Sequence, residues 1–439
     1  MDARLEEYAQ AQVPLCLEND VIPDALYAEY GVNRGLRDAN GVGVLTGLTR
    51  ISSIVAFQDQ GGKRVPCHGQ LCYRGHNIRE LINGLGPKEL GFEPMAYLLL
   101  FGQMPAQEEE AEFRSILGSC RTLPTNFTRD VIMKAPSRDI MNSMTRSVLT
   151  LANYDPQAQA PGLANSLRQC IRLIAEFPML AVYGYHAYNH YEKGESMYIH
   201  RPDPDLSTAE NFLRMLRPDQ SYTPLEAKAL DLALILHMEH GGGNNSTFTT
   251  RLVTSAGSDT YAAMAAALSS LKGHRHGGAN LKVMEMIQDL KDNVSDWTDR
   301  SATENYLRKL LAGQAFDRSG LIYGMGHAVY SLSDPRAQLR GAVTGKLARA
   351  KGREEDLILF RNIADLAPAL LAESRPGRKE VSPNVDFYSG FLYELLGIPL
   401  ELYTPLFATA RIVGWSAHRL EELVGAGKII RPAYMSVQK

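Results

Sequence analysis

The chain has 439 residues, of which 45% are hydrophobic and 22% charged. That length supports a large core and more than one domain, and the balance is that of an ordinary globular protein. A net charge of −3 gives no overall attraction to nucleic acid or to an anionic membrane, so any anionic ligand must be held by local cations.

The start, Met1-Asp2-Ala3-Arg4-Leu5-Glu6-Glu7, is acidic and lacks the apolar run of a secretory signal or the Arg/Ser bias of a transit peptide. No apolar stretch approaches the roughly 20 residues of a membrane span, so the expected compartment is the cytoplasm. Residues 1–40 read as a helical or loosely packed arm. Ile51 to Tyr73 carries β-branched and aromatic runs around Gly61-Gly62, which predicts a small hairpin.

Beyond it, apolar residues recur three and four apart over Ala96 to Phe101, Met141 to Leu151, Leu163 to Tyr188, Leu225 to Glu239 and Tyr261 to Leu271, which predicts helices. No β–α alternation is present, so the expected class is mainly α rather than a parallel sheet. Cys16, Cys67, Cys72, Cys120 and Cys170 are odd in number and loosely spaced, as free thiols in a reducing compartment would be. Arg349 to Asp356 and Arg375 to Lys379 read as solvated faces or loops. The second stretch is also suited to a phosphate-bearing ligand.

Three histidines stand in glycine-rich turns: His240-Gly241-Gly242-Gly243-Asn244, His276-Gly277-Gly278-Ala279-Asn280 and Gly324-Met325-Gly326-His327. Asn384-Val385-Asp386 follows. Glycine permits left-handed turns and close approach of a ligand to the backbone. Together with a carboxylate, the three turns suggest an acid/base site assembled from distant segments.

His240 ends a helix, where the dipole favours protonation. His276 sits in a turn just before or within the first residues of another, where the dipole favours the neutral ring, a form suited to donating to a developing oxyanion. Arg336, after Asp334-Pro335, is suited to gripping a carboxylate. Asp386 lies where an N-cap is expected. A carboxylate there is a poor base unless a closing site desolvates it. A metal reading rests on His237, Glu239, His240, His274 and His276, but His-Met-Glu-His is not the His-Glu-x-x-His helix motif.

Taken together, these segments resemble the citrate synthase family, which also contains 2-methylcitrate synthases. The resemblance runs through Leu236 to His240, Asn244, Ser246-Thr247-Phe248, His276 to Asn280, Gly324 to Val329, Asp334 to Arg336 and Asn384 to Asp386. Tyr73 to Ile78 and Tyr97 to Gly102 resemble the family's upstream motifs.

The resemblance implies a mostly α-helical homodimer. A large domain, 1–276 with 389–439 returning to it, carries a small domain, 277–388, that closes over the site. It implies condensation of acetyl-CoA with oxaloacetate, with no cofactor and no metal. Asp386 would be the base, His276 the donor to the thioester oxygen, and His327 the group that polarises the ketone. His240, Asn244, Arg336, Arg411 and, from a partner subunit, Arg431 would hold oxaloacetate.

The chain departs from the family's pattern at Gly273-His274-Arg275, at Gly241, and after His327, where Ala328 to Ser333 contains no cation for the CoA phosphates. Arg318, Arg375, Arg378 and Lys379 are the expected substitutes. The alternatives are propionyl-CoA as the acyl donor, giving 2-methylcitrate, and a histidine-bound metallohydrolase.

Overall fold

Helix dominates the computed structural model, at 61% against 6% strand, with seventeen α-helices among the described residues. Those residues are 3–38, 42–274, 276–327, 329–330, 332–375, 380–425 and 427–437, with Arg64 described through its backbone alone. The mainly α expectation holds.

The contacts divide the chain into two units, Met1–Leu48 and Thr49–Lys439. The first contains the helices Ala3–Asn19 and Asp24–Glu29, neither of which buries a side chain. The expected arm is therefore helical.

The second unit opens with the predicted hairpin. Strands β1 (Ser52–Gln60) and β2 (Lys63–Tyr73) pair antiparallel, with Ser52 opposite Tyr73 and an irregularity between Val55 and Phe57. The turn is made by Gly61 and Gly62, both left-handed. A two-residue strand β3 (His76–Asn77) extends the sheet from β2.

The core is built around two long helices that pack on each other, Leu163–Lys193 and Tyr403–Gly425. Leu173 to Tyr183 and Tyr403 to Leu420 are almost entirely buried. Helix Pro224–His237 lies against Tyr403–Gly425. Its start is set by Pro224 at the first position and by reciprocal capping between Thr223 and Glu226. It ends at Met238, before the glycines expected to stop it.

Helices Ala279–Asn293, Pro335–Ala350 and Val385–Leu395 pack together. Pro335–Ala350 also rests on Pro224–His237, and Arg300–Leu311 pairs with Glu354–Ser374. The charged stretch Arg349 to Asp356 forms the end of one helix and the start of the next. Asp356 there is buried and paired with Lys291 and Arg353, so it is not wholly a solvated face.

Gly414 lets helix Tyr403–Gly425 cross the histidine segment at close range. A Cβ at Gly414 would lie 2.3 Å from the Met238 carbonyl oxygen and 2.5 Å from Glu239 Oε2. Neither neighbour has room to yield, because Glu239 is fully buried. Gly414→Ala is expected to lower the thermal unfolding midpoint through an overpacking cost of about 1–3 kcal/mol. An unchanged midpoint would show that the helix moves aside freely.

Candidate active site

Two loops are zipped together at the centre of the site. Met325 and Pro383 form an isolated antiparallel bridge. The Gly326 N–H donates to Ser382 O at 2.9 Å, Asn384 N–H to Gly324 O at 2.9 Å, and Asn384 Nδ2 to Gly326 O at 2.8 Å. Gly324 and Gly326 are both left-handed, φ 81 and 85, as glycines beside His327 were expected to be. The pairing brings the segment of His327 to the segment of Asp386.

The His327 ring is oriented by its own backbone. Its Nδ1 accepts from the N–H groups of Val329 at 3.0 Å and Tyr330 at 3.3 Å. A backbone N–H only donates, so the ring proton belongs on Nε2. Arg336 Nη2 lies 3.4 Å from that Nε2. Two donors facing one point would suit an oxygen that gains negative charge.

Arg336 is buried and held by Asp334, with Nε to Oδ1 at 3.0 Å and Nη2 to Oδ2 at 2.7 Å. Burial opposes both charges, but each ion sustains the other: Asp334 is held below the usual carboxylate range and Arg336 above its ordinary value. Asp334 also caps helix Pro335–Ala350, so this arginine opens a helix.

His240 is buried beside them. Its ring centroid lies 5.1 Å from that of His327 and 5.5 Å from that of Tyr330, and its Nε2 is 3.3 Å from the Tyr330 hydroxyl. Its affinity for a proton falls well below normal, first through burial and then through Arg336. The expectation of a protonated His240 at a helix end is therefore wrong. A helix terminus supplies roughly 0.3–1 kcal/mol, which burial and two nearby arginines outweigh.

His276 is neutral for the same reasons. Burial and then Arg411 lower its pKa to about 4. Its Nε2 faces Ser246, 3.4 Å from the backbone N–H and 3.1 Å from the hydroxyl. The N–H contact requires Nε2 to accept, which leaves the proton on Nδ1. Ser246 is itself fixed by Trp415 Nε1, which donates at 3.2 Å, and by Asn244 Oδ1, which accepts at 2.9 Å. Asn244 thus reaches the site through Ser246; it stands at the N-cap position of helix Asn245–Ser255 without a capping bond from its side chain.

Asp386 is not the N-cap. Asn384 is, with its side chain accepting from the Asp386 N–H at 3.0 Å. Asp386 keeps some accessible surface yet lies deep among protein atoms. Burial raises its pKa, against the pull of Arg336, Arg340 and Arg411. That is the desolvation a carboxylate base needs.

Arg411 is the common neighbour of the group. It acts electrostatically on His237, His240, His276 and Asp386. Its Nε donates to His237 O at 2.6 Å, its guanidinium lies over Phe407, and its buried Nη1 has no partner among the described residues. Burial lowers its pKa to about 10.

Glu239 lies below, accepting from Ser52 at 2.9 Å, His418 at 2.9 Å and the Gly241 N–H at 2.5 Å. Burial alone would raise its pKa; His418, Arg411 and Ser52 overcome this and hold it at about 2. With His237 given to Arg340 and Tyr393, His237, Glu239, His240 and His276 of the metal reading have protein partners, and His274 is exposed. Among the described residues, no three His, Cys, Asp or Glu are grouped to hold a metal ion.

The remaining expected residues lie elsewhere. Arg431 is exposed on the tail that follows the last helix. Arg318 is exposed in a left-handed turn, and Arg375 donates to Gly320 O at 2.8 Å. Arg378 and Lys379 lie outside the described residues. Tyr330 and Arg340 were missed. Arg340 had a signal, four residues after Arg336 and hence on the same helix face; Tyr330 had none.

The chain is similar to known proteins over most of its length. The family model described as citrate synthase, C-terminal domain, matches residues 40–433. The chain is 34% identical over 369 residues to a citrate synthase of Haloferax volcanii, covering 83% of this chain and 88% of that protein. It is 32% identical over 364 residues to a 2-methylcitrate synthase of Shewanella oneidensis, covering 83% and 87%. Its fold is similar, with TM-score 0.74 and 25% identity, to citrate synthase from Thermoplasma acidophilum in ternary complex with carboxymethyl coenzyme A and oxaloacetate, covering 92% and 96%.

The neutral state of His276 is directly measurable. Ring NMR signals of labelled histidine, assigned by loss in His276→Gln, are expected to show no protonation of this residue between pH of about 8 and 5.5. A titration centred near its ordinary value would contradict the assignment.

Proposed function

This chain belongs to the citrate synthase family, and from that premise we propose that it condenses acetyl-CoA with oxaloacetate and hydrolyses the resulting thioester to citrate and CoA. The observation that carries this reading is the electrostatic grouping of one desolvated carboxylate and neutral imidazoles around Arg411.

The acetyl methyl is a weak carbon acid. Asp386 removes a proton from it while His276 Nδ1–H donates to the thioester oxygen, so the charge never rests on a free carbanion. The enol carbon attacks the ketone of oxaloacetate. His327 Nε2–H and Arg336 receive the oxygen that becomes an alkoxide. Preorganised donors of this kind are worth roughly 10²–10³ in rate each. Water then cleaves the citryl thioester, and the CoA thiol leaves. His240, Arg336 and Arg411 hold the carboxylates of oxaloacetate, and Asn244 supports Ser246 behind His276.

Charge balance supports a homodimer. Arg336, Arg340 and Arg411 are formally offset by Asp334, Glu239 and Asp386 within one chain, so a dianion needs a further cation. Arg431 on the exposed tail supplies it to the partner's site. Residues 277–388 form the domain that closes over the substrates, excluding water until condensation is complete. Arg318, Arg375, Arg378 and Lys379 bind the CoA phosphates; Arg318 and Arg375 flank the turn at Gly320.

No cofactor takes part in this scheme. The protein acts in the cytoplasm, without nucleic acid or membrane partners; among the described residues, no helix is long and apolar enough to cross a membrane. Propionyl-CoA is the alternative donor, favoured by the similarity to a 2-methylcitrate synthase. One methylene in an apolar pocket discriminates by only about 1–3 kcal/mol.

Thiol release from acetyl-CoA and propionyl-CoA, each with and without oxaloacetate, tests the reading. Oxaloacetate-dependent release from acetyl-CoA is expected, and a strong propionyl preference would reassign the donor. Asp386→Ala and His276→Ala are expected to abolish release in folded protein, and full activity in either would remove the mechanism. Arg431→Ala is expected to raise the KM for oxaloacetate; an unchanged value would remove its role across the dimer.

A further inference from the structure

Helix Pro335–Ala350 carries a second arginine one turn beyond Arg336. Arg340 is fully buried, yet among the described residues it makes no ion pair. Its guanidinium bonds to neutral acceptors alone. Nη1 donates to His237 Nε2 at 3.0 Å and to Val385 O at 3.3 Å, and Nη2 donates to Ala233 O at 3.0 Å. Burying a guanidinium without a contact carboxylate is costly, and an apolar side chain would fill the space at less expense.

The acceptors indicate what the charge does. Ala233 and His237 belong to the helix that leads to His240. Val385 is the peptide neighbour of Asp386. Tyr393, two turns along the helix that begins at Val385, brings its hydroxyl to the same His237 Nε2 at 2.9 Å. The helix of Asp386 is therefore tied to His237 near its start through Arg340 and near its end through Tyr393. Around Asp386 stand Arg336 and Arg340 from one helix, Asp334 at its cap, Arg411 from Tyr403–Gly425, and Tyr393 on its own helix.

We propose that Arg340 is a positioning residue for the condensation: it seats the Asp386 carboxylate by locking its helix to the His237 segment, and it supplies part of the counter-charge for that base. The inference rests on the functional reading above and assigns Arg340 no contact with substrate.

The test uses full-length Arg340→Met, Arg340→Lys and Tyr393→Phe, with kcat, KM for oxaloacetate and the pH profile taken from thiol release. Arg340→Met is expected to lower kcat about 10²-fold through misplacement of the base, with little change in KM. Its acid limb moves to higher pH, because a carboxylate that loses a neighbouring cation holds its proton more tightly. Arg340→Lys restores the acid limb but not kcat, since an ammonium has the charge without the fork. Tyr393→Phe lowers kcat with the limb unmoved.

A folded Arg340→Met with wild-type kcat, or with an unmoved acid limb, overturns the proposal. If that variant does not fold, wild-type kcat in both Arg340→Lys and Tyr393→Phe overturns it. Wild-type protein that releases no thiol refutes the condensation reading itself, and Arg340's role with it. Active wild type with unaltered variants refutes Arg340's role alone.

Discussion

The pairing of Gly324–Gly326 with Ser382–Asn384 is the constraint on which the site depends. It is only a few hydrogen bonds long, yet it joins two loops more than fifty residues apart in sequence. On one side it presents His327. On the other it ends in Asn384, whose side chain caps the helix that carries Asp386. An aspartate at the second position of a helix gains from the dipole, so the pKa raised by burial is a measure of how completely the protein encloses it.

That enclosure sets the protonation states of the whole group. His237, His240 and His276 are all held neutral by burial first and by arginines second. A neutral imidazole is ambiguous until its two nitrogens are told apart, and here backbone N–H groups do this: Val329 and Tyr330 for His327, Ser246 for His276. Each ring is thereby left with one nitrogen able to donate. Buried positive charge serves two ends in such a site, keeping the imidazoles neutral and keeping Asp386 from being driven too far toward its acid form.

How much of this could be read from the chain depends on how local the cause is. The hairpin and the helices Ile140–Leu151, Leu163–Lys193 and Thr260–Leu271 follow from apolar spacing. The histidine turns were legible because glycines flanked them. Helix Asn245–Ser255 was not, since the residues it buries are Ser246, Thr247, Thr250, Arg251 and Thr254, and no apolar period exists to find. Helix Pro335–Ala350 buries Arg336, Arg340 and Thr344 among Ala337, Val343, Leu347 and Ala348, which interrupts its apolar period. The charge of His240 was misjudged because the helix stops at Met238, short of it, and because the burial and the two arginines that keep it neutral are set by the tertiary fold. Arg340's role needs three segments from distant parts of the chain, which spacing alone does not bring together.

The central claim is that one desolvated aspartate and one neutral imidazole converge on the same acyl group. A crystal structure of the protein with oxaloacetate and an unreactive acetyl-CoA analogue tests it most directly. The account predicts the Asp386 carboxylate and His276 Nδ1 each within about 3.5 Å of the acyl carbon or oxygen it serves. Either side chain turned away from a fully enclosed acyl group would contradict it.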